Sequence, residues 1–307
     1  VLALVQIFFT FAVMGAYTHL QRRTAIAVTP TLAGTDHQVP EGWGQRLLVG
    51  GVLTAMLLYL GGPLAALLLR SLATAQGLAL TYYRQLFVNE AQSIFFVPPI
   101  QAMGNSLLFA GLALVLALVL GVTAAVYLAG PRSRLNSWLD PLFMLPLSTS
   151  AVTLGFGFII ALDRPPLNLR TSVWLVPLAH TLVAFPFVVR SLLPVLRGMN
   201  PRWREAAATL GASPARTLRE IDLPIVARAL LIGAVFAFTI SVGEFGATLL
   251  IARPNFPTMP VVIYRLLGAQ GALNQGQGLA MSTLLMIVCA VGFVLIERFR
   301  VGDVGEF

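Results

Sequence analysis

Glu244 is a carboxylate set in an otherwise uncharged run, Ser241-Val242-Gly243-Glu244-Phe245-Gly246, and an acid so placed needs a partner, a cavity or water. Two kinds of role suit it. It can attract or gate a cationic solute, or it can bond to a neighbouring helix or reach interfacial water. Ser148, Thr149 and Ser150 follow Pro146, and with Ser241 they are the other candidates to line a pathway. Their hydroxyls can equally be spent on their own backbone. For His180, which also lies in an apolar stretch, a hydrogen-bonded packing role is the simpler expectation. No His, Cys and carboxylate group has the spacing of a metal site, and no triad or carboxylate pair points to catalysis. Neither a metal nor a cofactor is expected. Cys289, the one cysteine, reads as a small buried apolar residue.

The elements that must hold these residues are membrane helices. Hydrophobic residues make up 57% of the 307-residue chain and charged ones 10%, with mean hydropathy +0.84, whereas soluble domains carry about a quarter charged residues. A bilayer core asks for about 20 apolar residues per helix. Seven stretches meet that demand: Val1 to Tyr17, Leu47 to Leu69, Leu107 to Leu128, Leu139 to Leu162, Val173 to Leu193, Ala229 to Ile251 and Leu279 to Ile296. They are continuous rather than alternating, which excludes a barrel. The expected fold class is therefore all-α, a polytopic helical membrane protein of about seven spans. The first stretch lacks a basic leader and a small-residue cleavage site, and Arg22 and Arg23 follow it, so it reads as a span and not a signal peptide.

The net charge of +8 comes from twenty arginines and no lysine. If the seven spans alternate, fourteen arginines fall on one side and six on the other, and the richer side is cytoplasmic by the positive-inside rule. The basic excess is thus topological, and nucleic acid is not the expected partner. Residues 1–23 form a spanning helix, 24–46 a cytoplasmic linker, 47–300 a six-helix domain and 301–307 a cytoplasmic tail. On the outer side, Leu78, Tyr82, Tyr83, Leu86 and Phe87 recur near helical period, which predicts a short interfacial helix, either an aromatic anchor or a docking surface.

The cytoplasmic segment 199–224 has its own local grammar. Asn200-Pro201 and Ser213-Pro214 are paired helix starts, a capping side chain and then a ring at the first helical position. Gly211 suits the left-handed residue that ends a helix, and Pro224 is expected to stop the second helix. Two short helices at an angle follow, the first with Trp203, Ala207 and Leu210 on one stripe and Glu205 and Thr209 on another. By periodicity this is also what an amphipathic hairpin folded onto its own bundle looks like.

Glu205-Ala206-Ala207, then Gly211, then Ile221 and Leu223-Pro224 reproduce the pattern EAA-x3-G-x9-I-x-LP. In this the chain resembles the permease subunits of binding-protein-dependent ABC importers, of the type I or MetI-like fold. The resemblance implies that the loop forms coupling helices seated in a groove of a separate, homodimeric ABC ATPase. Glu205, Ala206, Ala207, Thr209, Gly211, Ile221, Leu223 and Pro224 would be the coupling residues. It also implies an extracytoplasmic substrate-binding protein, a second permease half, fused or separate, and a place in the bacterial inner membrane. Without lysine the chain holds no phosphate-binding Walker loop, so the ATPase site belongs on another polypeptide and the chain itself is not an enzyme. Asn105-Ser106-Leu107 with Gly121, and Phe256-Pro257-Thr258-Met259-Pro260 with Ile263 and Tyr264, look most like thiamine and ferric-iron permeases. Those are often fused two-half chains, and the opening helix would then be the last of a preceding half. An ion-coupled secondary transporter and a non-transporting scaffold or sensor are the competing classes. Both leave the coupling motif unexplained.

Overall fold

The computed structural model describes residues 42–88, 97–131, 133–163 and 169–301, together with residues 5, 8 and 13. Most of the expected opening span, the linker up to residue 41 and the tail after residue 301 lie outside the described residues. The described residues are mostly helical, as expected, with a small antiparallel hairpin that pairs Ala73 with Leu78. Among the described residues, five helices are long and apolar enough to cross a bilayer, and a bent pair would make a sixth.

Helix α1 (Trp43–Leu72) begins inside the segment expected as linker, and Ser71 is its one buried residue. Such an apolar outer surface is stable in hydrocarbon, because lipid tails are as apolar as leucine. After the hairpin comes α2 (Thr81–Gln85), a short helix in the segment where one was expected. Leu78 and Phe87 are exposed, but Leu86 is fully buried, and Tyr82 and Tyr83 pack with it against the helices near residues 262 and 281. Tyr83 also meets Ser71 at 2.7 Å.

The centre of the bundle is made by α3 (Gln101–Ala129), α6 (Leu175–Gly198) and α9 (Leu223–Gly243). Small residues let these helices approach closely. A β-carbon at Gly121 would lie 2.6 Å from that of Val188, and one at Gly233 would lie 3.1 Å from the Val188 Cα. Ala117, Ala125, Val188, Val189, Leu192 and Ala237 fill the seam. In a membrane, where apolar burial adds little between helices, this close packing supplies the association.

Two expected spans are corrected. The stretch from Leu139 to Leu162 is not one helix but two, α4 (Arg134–Ser148) and α5 (Ala151–Leu162), bent by 105°. Pro146 removes a backbone donor from the last turn of α4. Ser148 Oγ and Thr149 Oγ1 both donate to the carbonyl of Leu145, at 3.1 and 2.8 Å, so the hydroxyls satisfy the end of the helix and let the chain turn. The stretch from Ala229 to Ile251 is also interrupted. Helix α9 ends at Gly243, and α10 (Gly246–Ile251) restarts beyond Glu244 and Phe245. The chain closes with α11 (Met259–Gly268) and α12 (Ala272–Val301). Asn105 donates to the carbonyl of Pro257 at 3.0 Å, and Met259 N–H donates to Ser106 Oγ at 2.8 Å. Two sequence segments set apart by more than a hundred residues are thereby tied at one end of the bundle.

Candidate functional site: an exposed coupling loop and a buried helix break

The loop after α6 folds as its capping residues direct. Helix α7 (Pro201–Thr209) starts at Asn200, whose side chain accepts from Arg202 N–H. It ends at Gly211 with φ +80°, where Ala212 N–H reaches the Ala207 carbonyl at 2.9 Å and Gly211 N–H that of Ala208 at 3.0 Å. These two bonds are the Schellman closure, which requires a residue that tolerates the left-handed conformation. Ser213 then caps α8 (Pro214–Thr217) by accepting from Arg216 N–H. The expectation that Pro224 ends this helix is corrected. A π turn over Leu218–Asp222 carries the backbone straight into α9. Its wider i→i+5 spacing lets a proline ring in where a regular α-turn would clash.

The motif residues sort onto two faces of this loop. Ala206 and Ala207 from α7 and Ile221 and Pro224 from the turn line one cavity of about 960 Å³, with Trp203 and Leu210. The nine-residue spacing in the motif is what brings both sides of the turn onto that cavity. Glu205 and Thr209 point away from it and are exposed; Thr209 Oγ1 bonds back to the Ala206 carbonyl at 2.7 Å. Leu210 is 87% exposed, an apolar tip offered outward. Leu223 is also exposed. An ion pair from Arg204 Nε to Asp222 Oδ1, 2.9 Å, braces α7 against the π turn. Further back, Arg197 reaches the Leu128 carbonyl at 3.2 Å and Asp140 at 3.6 Å, which roots the loop on the end of α3 and the middle of α4.

The second region lies at the interruption after α9. Glu244 is buried, and its Oε1 accepts from Ala247 N–H at 2.7 Å. Its carboxylate therefore caps the restarted helix. Of the readings open from sequence, a hydrogen bond to protein is the one the geometry displays. Ser241 is 1% exposed and meets His180 Nδ1 at 2.8 Å, so its hydroxyl is engaged rather than facing an open cavity. Ser148 and Thr149 bond their own helix, while Ser150 is exposed.

The helices that follow these candidates nevertheless meet. A β-carbon at Gly246 would lie 3.0 Å from that of Ala151, and one at Gly155 only 2.8 Å from the Ala247 Cα. The start of α5, just after the bend at Ser148–Ser150, and the start of α10, just after the break at Gly243–Gly246, are thus closely apposed. Sequence reasoning missed Thr248, which is fully buried and meets His180 Nε2 at 2.6 Å. Nothing local marks it, because its partner is 68 residues away.

Comparison with known proteins places this geometry. PhnV of Salmonella typhimurium, provisionally named a 2-aminoethylphosphonate transport system permease protein, is 28% identical over 265 residues, spanning 84% of this chain and 95% of its own length. The spermidine/putrescine transport system permease protein PotC of Escherichia coli is 26% identical over 273 residues, 85% of this chain and 98% of PotC. A crystal structure of a bacterial ABC transporter involved in the import of the acidic polysaccharide alginate contains a chain of the same fold. It aligns with TM-score 0.64 at 17% identity, covering 85% of this chain and 96% of the other. Residues 117–300, which hold the second half of α3, all of α6 and α9, the loop after α6, the bend and the break, match the family described as binding-protein-dependent transport system inner membrane component. The chain belongs to that family and is the MetI-like permease subunit of an ABC importer.

Proposed function

We propose that the exposed side of the loop, with Glu205 and Thr209 on α7 and Leu210 at the tip just beyond it, is the surface on which a separate, homodimeric ABC ATPase pushes from the cytoplasmic side, and that the apposed bend and break line the solute's route. The observation that carries this reading is the coupling loop itself. It is a helix closed at both ends by its own capping bonds, exposed along one face, and rooted by Arg197 on α3 and α4. Such a unit can take a push without unfolding. The arginines of this end, Arg134, Arg197, Arg202, Arg204, Arg216, Arg219 and Arg228, support a cytoplasmic location in the inner membrane. An extracytoplasmic binding protein delivers the solute, and a second permease half, fused or separate, completes the pathway.

The cargo is a small hydrophilic solute. The relatives are named for a phosphonate and for polyamines, and the structural neighbour imports an acidic polysaccharide, so this scaffold is compatible with cargo of either charge. Thiamine and ferric iron, the expectation from the sequence resemblance, belong in the first panel of solutes to test, beside 2-aminoethylphosphonate and the polyamines.

The test is reconstitution. The tagged chain, expressed with the ATPase and binding protein encoded beside it, is purified and placed in liposomes. Retention of the ATPase and ATP-dependent uptake of the ligand held by the binding protein are expected. Uptake driven by an ion gradient with no ATPase bound would overturn the reading.

A further inference from the structure

One imidazole spans the helix break. His180, in α6, is 2% exposed, and the hydroxyls of Ser241 and Thr248 that it meets are 1% and 0% exposed. Ser241 lies in the last turn of α9 and Thr248 in α10, so the two bonds of 2.8 and 2.6 Å fall on opposite sides of Glu244–Phe245. A neutral imidazole has one N–H and one lone pair. In either tautomer one hydroxyl donates to the ring and the other accepts from it, and neither ring nitrogen is left unsatisfied.

Any buried imidazole needs its ring nitrogens hydrogen-bonded; what distinguishes this one is that its two partners lie on opposite sides of the interruption. Here the ring replaces the backbone continuity that the break removes. The surrounding contacts hold α10 from its other sides: Glu244 caps Ala247 N–H at 2.7 Å, and α5 presses on Gly246 and Ala247 through Ala151 and Gly155.

We infer that His180 is the positioning residue of the transport pathway. It fixes α10 to α9 and α6, so that the break and the α4–α5 bend packed on it move as one body when the importer changes state. The functional half of this inference rests on the permease reading; the local half does not.

The experiment separates them. In a Cys289→Ala background, a cysteine introduced by Ile251→Cys, at a position 7% exposed in α10, reports opening of that segment to a maleimide, with Leu250→Cys, 39% exposed, as control. His180→Leu is expected to speed labelling at 251 about tenfold and to leave 250 unchanged, since a buried segment reacts through its opened population. His180→Gln, which keeps a donor and an acceptor, should recover part of the protection. Adding Thr248→Val to His180→Leu should change labelling no further, the non-additive result for residues acting as one unit. In the reconstituted importer, His180→Leu should retain ATPase binding and hydrolysis while uptake per ATP falls about tenfold.

Unchanged labelling at 251, or fully additive effects of the two substitutions, would overturn the inference. If His180→Leu fails to accumulate, Ser241→Ala and Thr248→Val carry the same test, and absence of faster labelling in both overturns it. A parent complex without ATP-driven uptake would sink the permease reading and leave the labelling result standing.

Discussion

The coupling loop and the break after α9 are both interruptions of helical backbone, and they are stabilised in opposite ways. The loop satisfies its exposed ends locally. Asn200 accepts from Arg202, Ser213 from Arg216, and Gly211 lets two backbone bonds close the turn. At the break, Glu244 supplies one local cap, and the rest comes from afar: an imidazole of α6 and the backbone of α5. A locally closed unit keeps its shape while its surroundings move, which suits a lever. A tertiary clamp changes only when the packed helices change, which suits a pathway element.

The largest expected effect breaks the tertiary side of this contrast. Gly155→Val would drive a side chain into the Ala247 backbone, 2.8 Å from where its β-carbon must lie. Overpacking of this kind costs about 3 kcal/mol and should appear as a large drop in the melting temperature of the detergent-solubilised protein. A melt equal to the parent's would mean that α5 and α10 are not truly locked.

Next comes the local side. Gly211 holds φ +80°, and a β-branched residue forced there is strained by about 1–3 kcal/mol. With open space around it, Gly211→Val pays this backbone strain without a clash and should lower the melting temperature less than Gly155→Val does. ATP hydrolysis should continue with uptake lost and the external binding protein still loaded. Gly211→Asn, which tolerates that conformation better, should retain partial uptake. Normal transport by Gly211→Val would remove the loop from the mechanism.

Glu244 sharpens the comparison because it belongs to both descriptions, a local cap inside a tertiary site. Glu244→Ala removes the acceptor for Ala247 N–H and should cost about 1 kcal/mol. Glu244→Gln keeps an acceptor and should melt like the parent. Uptake decides the rest: a drop with Glu244→Gln, at unchanged melting, assigns the charge to solute handling, and equal uptake assigns it to capping.

The smallest effect is on the brace of the loop. Arg204→Ala removes a partly exposed ion pair with Asp222, worth about 0.5 kcal/mol. Stability should barely move, while ATPase retention in a pull-down weakens as α7 loses its fixed angle to the π turn. Undiminished retention would show that the capping bonds suffice.

Legibility followed the same division. Asn200-Pro201, Ser213-Pro214 and Gly211 each act on neighbours within a few residues, and each formed the structure its chemistry predicts. Pro224 did not stop its helix, because a π turn gave the ring room; whether a proline breaks or bends a helix depends on what the backbone before it can adopt. Pro146, Ser148 and Thr149 lie within one apolar run long enough for a single span. The two hydroxyls suit cavity lining by type, yet they serve the carbonyl of Leu145 at the bend. Tyr82 and Tyr83 showed helical spacing, but periodicity does not say which helix will cover them, and the covering face came from α11 and α12.

By itself the sequence determined that the chain crosses a membrane as helices, that one inter-helical loop is doubly capped with the permease coupling motif, and which end carries most of the arginines. Those properties depend on residue type, on apolar run length and on contacts within a turn or two of the chain. Tertiary structure decided where the spans bend, that Glu244 is a cap, and that His180 joins Ser241 to Thr248. Those bonds link residues 61 and 68 positions apart. They exist because small residues such as Gly155 and Gly246 let helix backbones come close enough for the side chains to meet.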